Sequence, residues 1–284
     1  MTITAATETI TPSIAEAMLG YNSENRNINH RRVAVIRDDI LADRWEFNGD
    51  AIRFDENGIM IDGQHRLAAI VMAGKSVASL VVRGVPVAAR KTIDQGKSRS
   101  LADVLKIERG LSQASAMSTT ITSIMIFEKA VRIGSWSMSR NRSISIGAAL
   151  DWYDAQPDEV RSVMLAGRRI SESPAKLPLG SVAPTLFGAM QIGADVMEAF
   201  ANEVQDGDGG ANSATTALRE YGIKRSQARD KPSAQVVALV TVRAFNRWIT
   251  GAETMRATPG RNLKPIPVQD ETTLAVFPQR LSVA

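Results

Sequence analysis

The residues from Asp62 to Arg66 bring many reactive groups close together, as few other places in the sequence do. Asp62 supplies a carboxylate, and Gly63 accepts backbone angles that permit a tight turn. Gln64, His65 and Arg66 add side-chain donors within one helical turn. A helix that began here would direct unpaired main-chain N–H groups and the positive end of its dipole at a ligand. The segment therefore predicts a site for a phosphate or another anion.

Each of these residues has a functional and a structural interpretation. In the functional one, Arg66 neutralises phosphate charge, and His65 donates to an oxygen or shuttles a proton. Asp62 acts as a base towards a hydroxyl acceptor or binds Mg²⁺ through water. Glu46 is a second acid candidate, with a surface carboxylate as the alternative. In the structural interpretation, Asp62 caps a helix, Gly63 is an ordinary turn residue and Arg66 is solvated.

The flanking sequence predicts the elements that would position these residues. The segments Ala51-Ile52-Arg53-Phe54 and Ile59-Met60-Ile61 flank an Asn-Gly turn, which is typical of a β-hairpin. A helical apolar run follows, and then a buried strand over residues 77–83. The order strand, helix, strand predicts a βαβ unit with a parallel pair and a right-handed crossover. Ligands bind outside the carboxyl ends of such strands, where Asp62 would lie.

The stretch Asp62 to Leu67 reads Asp-Gly-Gln-His-Arg-Leu and resembles the DGQHR signature of the ParB/sulfiredoxin superfamily. The wider pattern is similar to that of phage and bacterial proteins labelled "ParB-like nuclease", and it covers roughly the first third of the chain. The further matching segments are Asn25-Arg26, Trp45 to Gly49, Val81 to Gly84 and Thr92 to Gly96.

The resemblance implies a nucleotide-binding fold. In that superfamily the backbone and the arginine of the motif hold nucleotide phosphates, which implies these roles for Gly63, Gln64, His65 and Arg66, with Asn25 and Arg26 as upstream phosphate contacts. The cofactor implied is a nucleoside triphosphate, with ATP and CTP both open and Mg²⁺ as a further candidate. Members include CTP-binding partition proteins, an amino-acid kinase, a sulfinic acid reductase and DNA-modification components. Such a fold indicates phosphate handling better than any one reaction.

A second anion-binding loop is predicted between residues 94 and 100. The stretch is Gly-centred, basic and rich in hydroxyl groups, and it leads into a helix. It lacks the spacing of a P-loop, and an exposed capped turn is the alternative. Its candidate substrate or nucleic-acid contacts are Asp94, Lys97, Ser98 and Arg99.

Composition limits the chemistry that is available. The chain has 284 residues, no cysteine and 2 histidines, so thiolate chemistry is excluded and a multi-histidine zinc site is disfavoured. The missing cysteine also separates the chain from the sulfiredoxin branch. A net charge of +4 permits an anionic partner without demanding one. No run of apolar residues is long enough to predict a membrane span, and a cytoplasmic location is expected (host cytoplasm if phage-encoded).

We therefore expect an α+β protein. Residues 1–110 are predicted to form a ParB/sulfiredoxin-like α/β domain with a small mixed sheet. Residues 111–284 are predicted to form a helical domain with a flexible C-terminal tail, in which Leu186 to Val204 is one long helix.

Three functions remain open from the sequence. The first is an enzyme that uses or hydrolyses a nucleoside triphosphate in phage or bacterial nucleotide or DNA modification. The second is a DNA-binding protein or nuclease, for which the signature offers a single carboxylate where metal-dependent cleavage normally needs several. The third is a nucleotide-gated binding module without catalysis, and an oligomer is compatible with each.

Overall fold

The chain forms two compact units in the computed structural model. The first comprises Met1–Arg99 and Ser145–Ala148, and the second Ser100–Ile144 and Ala149–Ala284. The main division thus falls at residue 99, whereas the boundary predicted from the sequence is at residue 110. The residues that the structure describes are 2–22, 25, 27–93, 99–132 and 144–251.

The first unit is built on a four-stranded sheet in the order β1-β4-β2-β3. β1 is antiparallel to β4, β4 is parallel to β2, and β2 is antiparallel to β3. The sheet is therefore mixed, and the predicted α+β class is confirmed. The strands are β1 (Thr4–Ile10), β2 (Ala51–Asp55), β3 (Met60–Asp62) and β4 (Val77–Val85).

The hairpin of β2 and β3 forms at the predicted Asn-Gly turn. The Asp55 carboxylate accepts the N–H groups of Asn57 and Ile59, each at 2.9 Å. Gly58 adopts a positive φ of 78°, which glycine tolerates without strain. Because these contacts all lie within a few residues, the sequence specifies this turn locally.

The predicted parallel pairing of β3 with β4 is wrong. β2 lies between them, parallel to β4 and antiparallel to β3. Because the hairpin reverses the chain, β3 ends beside the amino ends of β2 and β4. Asp62 therefore lies at the opposite end of the parallel pair from the one where such sheets bind ligands. The topological reason for a site at Asp62 is lost, and only the local chemistry supports it.

Three helices complete the first unit: α1 (Pro12–Leu19), α2 (His30–Leu41) and α3 (Gln64–Ala73). α1 begins with Thr11 as its N-cap, whose hydroxyl accepts the Ile14 N–H at 3.2 Å. The apolar faces of the helices and one face of the sheet form a single core. Its fully buried members include Ile10, Ile52, Leu67, Ile70 and Val81.

The outer edge of β3 is covered by the loop that follows α1. The Met60 N–H donates to the Tyr21 carbonyl at 3.0 Å, and the Met60 carbonyl accepts the Asn25 side-chain amide at 2.7 Å. Both main-chain groups of this edge residue are thus satisfied within the chain. The other edge of the sheet is β1, and it has no such cover in the described part of the chain.

The second unit is helical throughout its described residues. α8 is buried over most of its length, from Ser181 to Ala189, and α5, α7 and α11 pack around it. No helix in the described residues is long and apolar enough to cross a membrane. The helices are α4 (Leu101–Arg109), α5 (Ala114–Arg132), α6 (Ile146–Asp154), α7 (Pro157–Glu172), α8 (Leu179–Ile192), α9 (Ala194–Asp206), α10 (Ala214–Gln227) and α11 (Ala234–Ile249). Residues 146–148 of α6 belong to the first unit.

The single long helix predicted from Leu186 to Val204 is wrong. α8 ends at Ile192 and α9 begins at Ala194, with Gly193 between them in an extended conformation (φ 177°, ψ 142°). A Cβ at position 193 would lie 2.5 Å from the Asp195 carboxylate, so glycine suits this junction. Apolar spacing continues across the break, which is why periodicity alone merges the two helices.

Candidate functional site

The candidate site lies where β3 passes into α3. Gly63 is the N-cap residue of α3, with φ 106° and ψ −2°, and no side chain caps the helix there. A Cβ on Gly63 would lie 3.0 Å from Ile52 Cγ1 and 3.1 Å from Ile52 Cα. Glycine is therefore required both by the backbone angles and by the close approach of this turn to β2.

Two arginines converge on the carboxylate of Asp62. Arg53 donates from Nη1 to Asp62 Oδ2, and Arg66 donates from Nη2 to the same oxygen at 3.2 Å. Arg66 Nη2 also donates to the Ala51 carbonyl at 2.7 Å, which fixes its guanidinium beside the start of β2. Side-chain exposure is 33% for Arg53 and 16% for both Asp62 and Arg66. The trio is partly shielded from water and carries two positive charges against one negative.

Arg53 is absent from the sequence-based site, because its place opposite Asp62 depends on strand pairing. Arg53 and Asp62 are cross-strand partners in the β2–β3 hairpin. Residues directly opposite on neighbouring strands place their side chains on the same face of the sheet. The hairpin register alone would not have found this pair. Continued regularly from Phe54 opposite Met60, it would place Arg53 opposite Ile61, and an irregularity between Arg53 and Phe54 shifts the pairing by one residue.

Gln64 and His65 turn away from solvent, with relative exposures of 5% and 9%. The Gln64 carbonyl oxygen accepts the Asn22 side-chain amide at 2.9 Å. His65 Nε2 accepts the main-chain N–H of Asn29 at 3.0 Å. An accepting Nε2 carries no proton, so the ring is the tautomer protonated at Nδ1. Both side chains therefore bind the loop before α2.

Asparagines organise that loop. Asn25 donates its side-chain amide to Asn22 Oδ1 at 2.6 Å as well as to Met60. Asn29 caps α2, since its Oδ1 accepts the N–H groups of Arg31 and Arg32 at 3.1 and 3.3 Å. One network of neutral hydrogen bonds thus joins the loop to β3 and to the first turn of α3.

The other predicted site residues are not joined to this cluster. Glu46 is exposed in the segment between α2 and β2, and it has no bond to Asp62. Arg99 is exposed and directly precedes Ser100, the N-cap of α4. Among the described residues, no group of three or more His, Asp or Glu side chains could hold a metal ion. The predicted residues outside the described ranges are Arg26, Asp94, Lys97 and Ser98.

The site thus combines an arginine pair, a tight glycine turn and a buried polar network that holds a neighbouring loop. Such a combination can bind an anion at the arginines while Gln64 and His65 keep the surroundings in place. Comparison with protein-family models, with curated proteins and with solved structures gives no match to this chain. The resemblance of Asp62 to Leu67 to the DGQHR signature therefore stays a prediction.

Proposed function

We propose that this chain binds the phosphates of a nucleoside triphosphate at the segment from Asp62 to Arg66. The observation that carries the proposal is the convergence of Arg53 and Arg66 on one carboxylate beside the start of α3. Two guanidiniums with one counter-charge leave an excess positive charge. A phosphate, like a carboxylate, can accept two parallel N–H bonds from the planar guanidinium of an arginine.

In the proposed complex, phosphate oxygens share or replace Asp62 as the acceptor of the two guanidiniums. Gly63 lets the ligand approach the main chain, where the positive end of the α3 dipole favours an anion. Asp62 holds both arginines in position before the ligand arrives. Its carboxylate then becomes available to accept a proton from a hydroxyl acceptor.

Gln64 and His65 act in this proposal as positioning residues. His65 Nε2 is already bonded to the Asn29 N–H, and Gln64 Oε1 to the Asn22 amide. They hold Asn22 and Asn29 against the start of α3. The Asn25-Arg26 element stays a phosphate contact that only the resemblance implies. This differs from the sequence-based expectation that His65 itself donates to a phosphate oxygen or shuttles a proton.

The proposed activity is the use or hydrolysis of the bound nucleotide in nucleotide or DNA modification. The nucleotide-gated binding module is the second candidate, and the asparagine network favours it. Because the loop and the arginine pair meet at one turn, a ligand that displaces Asp62 can shift the loop without any bond being broken. DNA binding or cleavage is the third candidate, for which the net charge of +4 gives weaker support.

Titration with ATP, CTP, GTP and UTP, with and without Mg²⁺, tests the binding proposal. Loss of a charge-assisted bond costs about 1.5–3 kcal/mol, so Arg66→Ala and Arg53→Ala should each weaken binding about tenfold or more. Arg66→Lys keeps the charge but loses the bidentate guanidinium, so its nucleotide affinity should lie between those of the parent chain and Arg66→Ala. Arg37→Ala is the matched control, because Arg37 is a partly exposed α2 arginine paired to Asp38. No binding to the parent chain, or equal binding by Arg66→Ala, would refute the proposal.

Product analysis separates the three candidates. The chain is incubated with each nucleotide, with and without DNA, and the products are resolved by chromatography and electrophoresis. Nucleotide turnover supports the enzyme, and binding without turnover supports the gated module. DNA cleavage that persists in Asp62→Ala and Arg66→Ala would place the chemistry outside this segment.

A further inference from the structure

β1 is the edge strand of the sheet on the side opposite β3. It pairs with β4 in one continuous antiparallel register, from Thr4 opposite Arg83 to Ile10 opposite Val77, without a bulge. In an antiparallel edge strand, every second residue directs its N–H and C=O groups away from the sheet. No group in the described part of the chain hydrogen-bonds to those of β1. Thr4 to Thr7 and Thr9 are exposed.

β1 also lacks the features that keep edge strands from pairing. Its seven residues contain no proline and no lysine or arginine. Its one charged side chain, Glu8, is neutralised by an ion pair with Arg83. The opposite edge of the same sheet differs, since the main-chain groups of Met60 are bonded to Tyr21 and Asn25. Within the described part of the chain, the sheet therefore has one covered edge and one regular edge without cover.

We propose that β1 pairs with β1 of a second copy of this chain, antiparallel about a two-fold axis, and so forms a continuous eight-stranded sheet. A two-fold axis perpendicular to a sheet requires one residue to lie opposite its own copy, because neighbouring residues face opposite sides. The register that pairs all seven residues places Thr7 opposite Thr7. The proposed dimer does not depend on what the Asp62 to Arg66 segment binds.

The side chains suit this register. Thr7 faces Thr7, a cross-strand pair that is favourable in antiparallel sheets. Ala5 faces Thr9 on the same side of the sheet, and Glu8 faces Ala6 on the other side. No two like charges lie directly opposite each other, and each Glu8 keeps its own Arg83. The strand is thus complementary to itself, which identifies a second copy as the occupant.

Charged substitutions at Thr7 test the pairing of the two β1 strands. The parent chain should show a concentration-dependent monomer–dimer equilibrium in sedimentation velocity. Thr7→Glu and Thr7→Lys each place like charges opposite one another, and each should raise the dimer dissociation constant more than about tenfold at low salt. An equimolar mixture of the two variants should dimerise again, because Glu then faces Lys. Thr7 is exposed, so the melting temperatures should stay close to that of the parent.

Cysteine cross-linking provides an independent measurement, since the chain has no cysteine of its own. Thr7→Cys should form an intermolecular disulfide under mild oxidation, because directly opposed Cβ atoms lie about 5 Å apart. Ala5→Cys is the matched control, exposed on the same face, and its copies would be separated by four residues, or about 13 Å. A parent chain that stays monomeric, a Thr7→Glu variant that dimerises like the parent, or equal cross-linking by both cysteines would overturn the proposal.

Discussion

The five residues of the Asp62 to Arg66 segment divide between two surroundings. The side chains of Asp62 and Arg66 meet Arg53 at the sheet, where they stay partly exposed. Gln64 and His65 are buried against the loop before α2. Residue types predict that the segment is polar and turns at Gly63. They do not reveal which side chains face inward, because that depends on partners about 40 residues away in the sequence.

Replacement of His65 by phenylalanine should destabilise the fold. The ring size is retained, but the Asn29 N–H loses its acceptor in a partly buried position. An unsatisfied group of this kind costs about 1–3 kcal/mol of unfolding free energy. His30→Phe is the matched control, since His30 is the other histidine and is exposed, and it should cost less than about 0.5 kcal/mol. Urea unfolding measures both, and equal costs would show that the His65 bond contributes nothing.

Replacement of Gly63 by alanine should cost more stability than the same change at Gly74. Both glycines have positive φ, at 106° and 65°, so alanine is strained at either position, by about 1–2 kcal/mol. Only at Gly63 does the added Cβ also meet Ile52, whereas nothing lies within 4 Å of a Cβ at Gly74. The unfolding free energies should therefore differ by about 1 kcal/mol or more. A smaller loss for Gly63→Ala would show that the turn moves away from β2 at little cost.

At the level of elements, features that nearby residues determine are predicted well, and pairings between strands distant in the sequence are not. The cap of α1 at Thr11 and the hairpin turn at Gly58 are set by residues within one turn, and the hairpin turn is as predicted. β1 is missing from the prediction, because Thr4 to Ile10 shows no clean apolar alternation and pairs with residues some 70 positions away. The βαβ prediction fails for the same reason, since nothing local shows that β2 inserts between β3 and β4.

The ion pair between α4 and α6 should make the stability of the second unit depend on pH. Arg109 donates to both Asp154 carboxylate oxygens, at 3.0 and 2.6 Å, and this hydrogen bonding lowers the pKa of Asp154. A lowered folded-state pKa gives stabilisation that is present above the ordinary aspartate pKa and is lost as the pH falls through the lowered value. The effect is small because both groups are largely solvated.

Asp154→Asn should therefore be slightly less stable than the parent chain near neutral pH. The difference in unfolding free energy should close as the pH falls below the ordinary aspartate value of about 4. Guanidinium chloride would screen this exposed pair, so urea unfolding across the acidic range is the suitable measurement. A difference that stays constant with pH would assign the loss to packing instead of charge.

At the scale of the whole molecule, the division into units does not follow chain order. Ser145–Ala148 belongs to the first unit, although about 45 residues separate it from Arg99. The Ser145 hydroxyl donates to Asp39 at 2.6 Å and also accepts the Ala148 N–H at 3.1 Å. Composition suggested a boundary at Gly110, but a contact between residues 39 and 145 leaves no local signal in the sequence.

The covered edge at Met60 decides how far an assembly of this chain could extend. Open-ended polymers require two complementary surfaces on every subunit, as in fibres that grow strand by strand. Here Tyr21 and Asn25 already occupy the main-chain groups of Met60, so a subunit could add strands on one side only. Growth through the sheet would stop as soon as two subunits met, and the loop before α2 would thereby protect the protein against fibrillation.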